Sequence, residues 1–116
     1  MRINIKATNI ELNEKLKELV GEKLKHLERF EEDLRKKDPL PSGQRKEDER
    51  VDVFVELERT TRHHQKGDVF RAEMQMMIAG ESLMVEALAD DLREAITEAR
   101  NKLEREIIER KERRQP

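Results

Sequence analysis

With 116 residues the chain has room for one domain and no second core, at roughly 100–200 residues per domain. Charged residues make up 45% and apolar residues 34%, so the core must be thin; three Phe with no Trp or Tyr disfavour a surface that stacks bases on aromatic rings. Twenty-five Lys and Arg against 27 Asp and Glu exclude an all-round cationic coat, and the absence of Cys excludes disulfides, thiolate chemistry and cysteine-ligated zinc.

Ile3, Ile5 and Ala7 alternate with Arg2, Asn4 and Lys6, the period of two of a strand with one buried face. From Asn13 the period lengthens. Leu16, Leu19, Val20, Leu24, Leu27, Phe30 and Leu34 recur every three or four residues and predict a first helix, capped by the Asn13 side chain. Asp38-Pro39-Leu40-Pro41-Ser42-Gly43 cannot continue it, because proline removes a donor and clashes with the preceding turn. A polar, mobile loop over about 38–50 is expected.

Val51, Val53, Val55 and Leu57 predict a second strand, and Phe70, Ala72, Met74, Met76 and Ile78 a third. A basic hairpin over about 60–68 joins them, carrying His63 and His64, which point to opposite sides in an extended segment and make a poor shared metal site. Ala79-Gly80-Glu81-Ser82 reads as a tight connection into a fourth strand over Leu83, Val85 and Ala87. Asp91-Leu92-Arg93-Glu94 has the form of a capping box. Leu92, Ala95, Ile96, Ala99, Leu103 and Ile107 then mark one face of a second helix running to near Lys111, followed by a basic tail over about 110–116. The predicted fold class is α+β, a two-layer β-α-β-β-β-α domain over residues 1–116. It has a four-stranded sheet, its last three strands an antiparallel meander, and two helices on one face.

Chemistry is sparse in this pattern. Gly21, Gly43, Gly67 and Gly80 are scattered through separate elements and form no phosphate loop, and the many carboxylates lack a pocket that could drive their pKa values apart. No catalytic residue, metal site or cofactor is expected, and the protein is not read as an enzyme. Without a run approaching about 18 apolar residues, a soluble cytoplasmic protein with no membrane partner is expected. Charge resolved by helix face is more informative. Arg93, Arg100 and Lys111 are spaced by seven and eleven residues and project along nearly one line, while Lys102 shares the opposite flank with Glu98 and Glu109. On the first helix Lys25, Arg29 and Lys36 form another line, with Glu18, Glu22 and Glu32 beside it. Basic flanks on two neighbouring helices suit the phosphates of a folded RNA.

Val85-Glu86-Ala87-Leu88-Ala89-Asp90-Asp91-Leu92-Arg93-Glu94-Ala95-Ile96, then Asn101-Lys102-Leu103-Glu104-Arg105-Glu106-Ile107, with Leu24-Lys25-His26-Leu27-Glu28-Arg29-Phe30 in support, resemble the ribosome hibernation promoting factors. These are also called ribosome-associated translation inhibitors, formerly sigma factor modulation proteins. The resemblance implies a fold similar to double-stranded RNA-binding domains. It also implies occupancy of the tRNA and messenger channel of the small ribosomal subunit, and inhibition of translation under stress or in stationary phase. Contacts to 16S rRNA are implied at Lys23, Arg29, Lys102 and Arg105; the face analysis adds Lys25, Arg93, Arg100 and Lys111. Arg93 stands where the family usually has Tyr, and both the 38–50 loop and the 60–68 hairpin are longer than usual. Ending at Pro116, the chain is expected to lack the C-terminal dimerisation domain of the long members and to be a monomer when free, with no DNA partner. The alternative is a regulator that binds a transcription or translation factor without touching RNA.

Overall fold

In the computed structural model, which describes residues 1–29, 51–60, 69–78 and 81–113, the elements follow the order β-α-β-β-β-α. They are β1 (Arg2–Thr8), α1 (Glu14–Lys25), β2 (Asp52–Thr60), β3 (Val69–Ile78), β4 (Glu81–Ala89) and α2 (Leu92–Arg113). The sheet order is β1-β2-β3-β4, with β1 parallel to β2 and the remaining pairs antiparallel, so the predicted meander is present. A parallel β1–β2 pair needs a crossover, and α1 lies on that connection.

Register and alternation divide the sheet into two unlike faces. Val53, Val55 and Leu57 of β2, Ala72, Met74 and Met76 of β3, and Leu83, Val85 and Ala87 of β4 are buried. They join Leu16, Val20 and Leu24 of α1 and Ala95, Ile96, Ala99, Leu103 and Ile107 of α2 in a single cluster. Both helices therefore cover one face, and their apolar stripes are the ones that the 3.6-residue period marks. Burying each large side chain contributes about 1.5–3 kcal/mol, which compensates for the low apolar content.

Local chemistry sets the helix ends. Asn13 is extended and its Oδ1 accepts the Leu16 amide at 2.9 Å, as the sequence predicts. The helix α1 ends at Lys25 in a turn through His26, where the Leu27 amide donates to the Leu24 carbonyl at 2.9 Å, and helical backbone resumes at Glu28 and Arg29. Leu27 is nevertheless fully buried, so the apolar spacing survives the break and conceals it. At α2 the expected capping box is only half made. Asp91 Oδ1 accepts the Arg93 amide at 2.7 Å, while no return bond from Glu94 occurs among the described residues.

Glu81 and Ser82, expected in a connection, already belong to β4, where Glu81 pairs with Ile78 and Ser82 with Met77. The helix predicted to run to near Lys111 continues to Arg113, taking in the start of the expected tail, and Arg110 and Arg113 pair with Glu81 and Glu109 at 2.7 and 3.5 Å. Phe30, Leu34, Lys36, the 38–50 loop, the hairpin with His63 and His64, Gly80 and residues 114–116 lie outside the described residues. Among the described residues no helix is long and apolar enough to cross a membrane.

Candidate nucleic-acid interface

Because α1 and α2 turn their apolar stripes toward the sheet, the polar stripes beside them face each other across a cleft of about 370 Å³. From α1 it is lined by Leu19, Glu22, Lys23 and His26, and from α2 by Arg93, Thr97, Arg100 and Asn101. Each set follows the helical spacing of i, i+3 or i+4, i+7. Around the C-terminal end of α1 a second recess is lined by Glu22, Lys25, His26, Glu28 and Arg29. His26 and Glu22 belong to both, so five of the eight predicted site residues, Lys23, Lys25, Arg29, Arg93 and Arg100, share one continuous surface.

These five differ in what their charge already does. Arg100 is the structural member: its Nε donates to the Lys23 carbonyl at 3.2 Å, and its Nη1 donates to Asn101 Oδ1 at 3.0 Å and Glu104 Oε2 at 2.5 Å. It ties α1 to α2 with a side chain only 17% exposed. By contrast, Lys23, Lys25, Arg29 and Arg93 form no ion pair with a carboxylate among the described residues. The Thr97 hydroxyl is committed to the Arg93 carbonyl at 2.9 Å. Across this surface phosphate groups can be held by two guanidinium and two ammonium groups, which need no proton transfer and no nucleophile.

Lys102 and Arg105 lie elsewhere. They project from the opposite flank of α2 into a groove against β4, shared with Val85, Glu86, Glu106 and Glu109. Lys102 Nζ donates to the Glu86 carbonyl at 2.8 Å, capping an acceptor on the outer edge of the sheet, a position where an unpaired strand otherwise invites pairing with another chain. Three carboxylates beside two cations make this flank the weaker field, in keeping with the face analysis. Lys111 stands eleven residues beyond Arg100 on α2, about 16 Å along the axis, and lines neither recess of the α1–α2 surface.

The sequence reading missed His26, which faces α2 although its Leu24–Phe30 run had been singled out. Its spacing of three from Lys23 and seven from Leu19 was the available signal. It also missed Arg71, on the opposite face of the sheet. Arg71 donates to Glu73 Oε2 at 2.7 Å, Glu56 Oε1 at 2.9 Å, Glu58 Oε2 at 3.0 Å and Glu86 Oε2 at 3.3 Å. The Glu73 hydrogen bond, opposed by desolvation and supported by Glu58 and Glu56, holds this guanidinium above its ordinary pKa. Among the described residues no cluster of His, Asp or Glu is arranged to hold a metal ion.

An α+β domain whose paired helices present cations on one side of an open sheet is the class this geometry defines. The chain belongs to the family described as sigma 54 modulation protein / S30EA ribosomal protein, whose model matches residues 3–115. The crystal structure of the Protein Y N-terminal domain from Thermus thermophilus is similar, with 25% identity, 92% of this chain and 96% of that one covered, and a TM-score of 0.65. A ribosomal subunit interface protein from Coxiella burnetii has the same fold, with a TM-score of 0.66 over 96% of this chain and 98% of that one, at 16% identity. No curated protein sequence matches the chain.

Proposed function

We propose that this protein is a non-enzymatic ribosome hibernation factor of the cytoplasm. It binds the small ribosomal subunit through 16S rRNA in the tRNA and messenger channel and inhibits translation by occupancy under stress or in stationary phase. Family membership and the likeness to a Protein Y domain support the ribosomal partner. The observation that carries the RNA contact is the surface shared by α1 and α2, where Lys23, Lys25, Arg29 and Arg93 stand without carboxylate partners among the described residues. Lys102, Arg105 and Lys111 extend the contact along α2, and Arg100 sets the spacing of the two helices.

The test follows from that division of labour. Replacing Lys25, Arg29 and Arg93 together by Glu breaks no side-chain hydrogen bond or ion pair among the described residues and touches no core residue, so the variant should stay folded by circular dichroism. It should lose co-sedimentation with purified small subunits and no longer inhibit translation in a cell-free reaction. Wild-type inhibition by the folded triple variant would overturn the proposed site.

A further inference from the structure

Register places the outward-facing side chains of the open sheet face in rows across the strands. One row is Asn4, Phe54, Gln75 and Met84; the next is Lys6, Glu56, Glu73 and Glu86. Met77 flanks the first row, and Arg71, two residues from Glu73 on β3, flanks the second. Phe54, Met77 and Met84 are 43%, 44% and 59% exposed, although large apolar side chains are scarce in this chain. They form an apolar band around Gln75, whose amide donates to Ser82 Oγ at 2.9 Å.

Three glutamates directly abreast repel one another. Arg71 holds them from below, its own side chain 17% exposed, but it engages one oxygen of each carboxylate, and Glu86 remains 52% exposed. Acceptor capacity and negative field are therefore left over on the solvent side. A second copy of this chain would bring glutamates against glutamates, and a nucleic acid would bring phosphates against them. A cationic ligand with an apolar side satisfies both bands.

We propose that the open sheet face is a docking surface for a cationic amphipathic helix of a protein partner. The geometry fits that shape: neighbouring strands are about 4.8 Å apart, and successive helical turns present side chains about 5.4 Å apart. A helix lying across the strands sets Lys or Arg at i, i+3 or i+4, and i+7 over Glu56, Glu73 and Glu86, and its adjoining apolar stripe over Phe54, Met77 and Met84. Methionine suits such a surface because its flexible thioether repacks against varied partners. The surface lies opposite the helices, so the inference stands independently of the rRNA reading.

The experiment uses the full chain with methyl-labelled methionine and a synthetic amphipathic helix made only of Leu and Lys. The controls are a scrambled peptide of the same composition and a version with Glu for Lys. The expected result is a saturable movement of the Met77 and Met84 methyl signals while the buried Met74 and Met76 stay still, with the scrambled peptide about tenfold weaker and the Glu version inactive. Met84→Ser and Glu86→Gln, both at exposed positions, should each weaken binding several-fold in a chain that keeps its circular dichroism. Equal binding of the scrambled peptide, unmoved Met77 and Met84 signals, or concentration-dependent movement of Met84 without peptide would overturn the proposal, the last in favour of self-association.

Discussion

The helical face and the open sheet face of this small domain are built from the same charged residue types and use them in opposite ways. On the helices, Lys23, Lys25, Arg29 and Arg93 extend without carboxylate partners among the described residues, and Arg100 serves as a tie between α1 and α2. On the sheet, Glu56, Glu58, Glu73 and Glu86 converge on the single Arg71. A formal net charge of −2 conceals this two-sidedness entirely. Net charge speaks to solubility and long-range steering, whereas a binding site depends on which side chains each element turns outward.

The largest expected effect separates the two faces by function. Reversing Lys25, Arg29 and Arg93 to Glu should weaken binding to small subunits by about a hundredfold or more at moderate salt. Glu58→Gln with Glu86→Gln on the sheet should leave that binding within about twofold, as measured by sedimentation. Equal losses from both variants would erase the distinction between the faces. Next in size is Arg71→Met. It leaves four carboxylates without their shared cation and should cost about 2 kcal/mol of stability in urea unfolding, discounted for the partial exposure of its partners.

The pH dependence of that contribution has a definite sign. The folded pKa of Arg71 is raised above the unfolded value, so its stabilisation is complete below the unfolded pKa and is lost only in alkali above it. The difference in stability between wild type and Arg71→Met should therefore show no loss attributable to Arg71 deprotonation between about pH 6 and pH 10.

Arg100→Met should cost about 1–2 kcal/mol by freeing the Lys23 carbonyl and Glu104. It should also raise amide exchange at the end of α1, a readout that distinguishes a tie between helices from a direct phosphate ligand. The smallest effect is a gain. A Cβ added at Gly21 meets nothing within 4 Å, so Gly21→Ala should stabilise α1 by about 0.5–1 kcal/mol in thermal unfolding.

Much of this architecture was legible because periodicity reports which side of an element is buried. Ala95, Ile96, Ala99, Leu103 and Ile107 are the buried residues of α2, and Val53, Val55 and Leu57 are buried in β2, as spacing alone predicted. The end of α1 was hidden by the same signal, since Leu27 re-enters the core after the turn at His26. The Arg71 cluster was illegible for a different reason: its partners come from β2, β3 and β4, and only the register brings them to one guanidinium. Helical spacing puts Arg93 and Arg100 on one flank of α2 and Lys102 on the other, and the cleft and the groove against β4 divide them in the same way. That Arg100 would bind the Lys23 carbonyl depends on the distance between two helices, which no spacing along either one contains.

The most direct test is the salt dependence of small-subunit binding for the wild-type chain and the Lys25, Arg29 and Arg93 charge-reversal variant. Each phosphate contact contributes about 0.7–0.9 to the slope of log affinity against log salt. The wild type should bind with a steep slope, and the variant, where residual binding is measurable, should have a slope shallower by roughly two to three. A wild-type affinity that is flat with salt, or a variant whose slope and affinity equal those of the wild type, would contradict the claim that these helices hold rRNA.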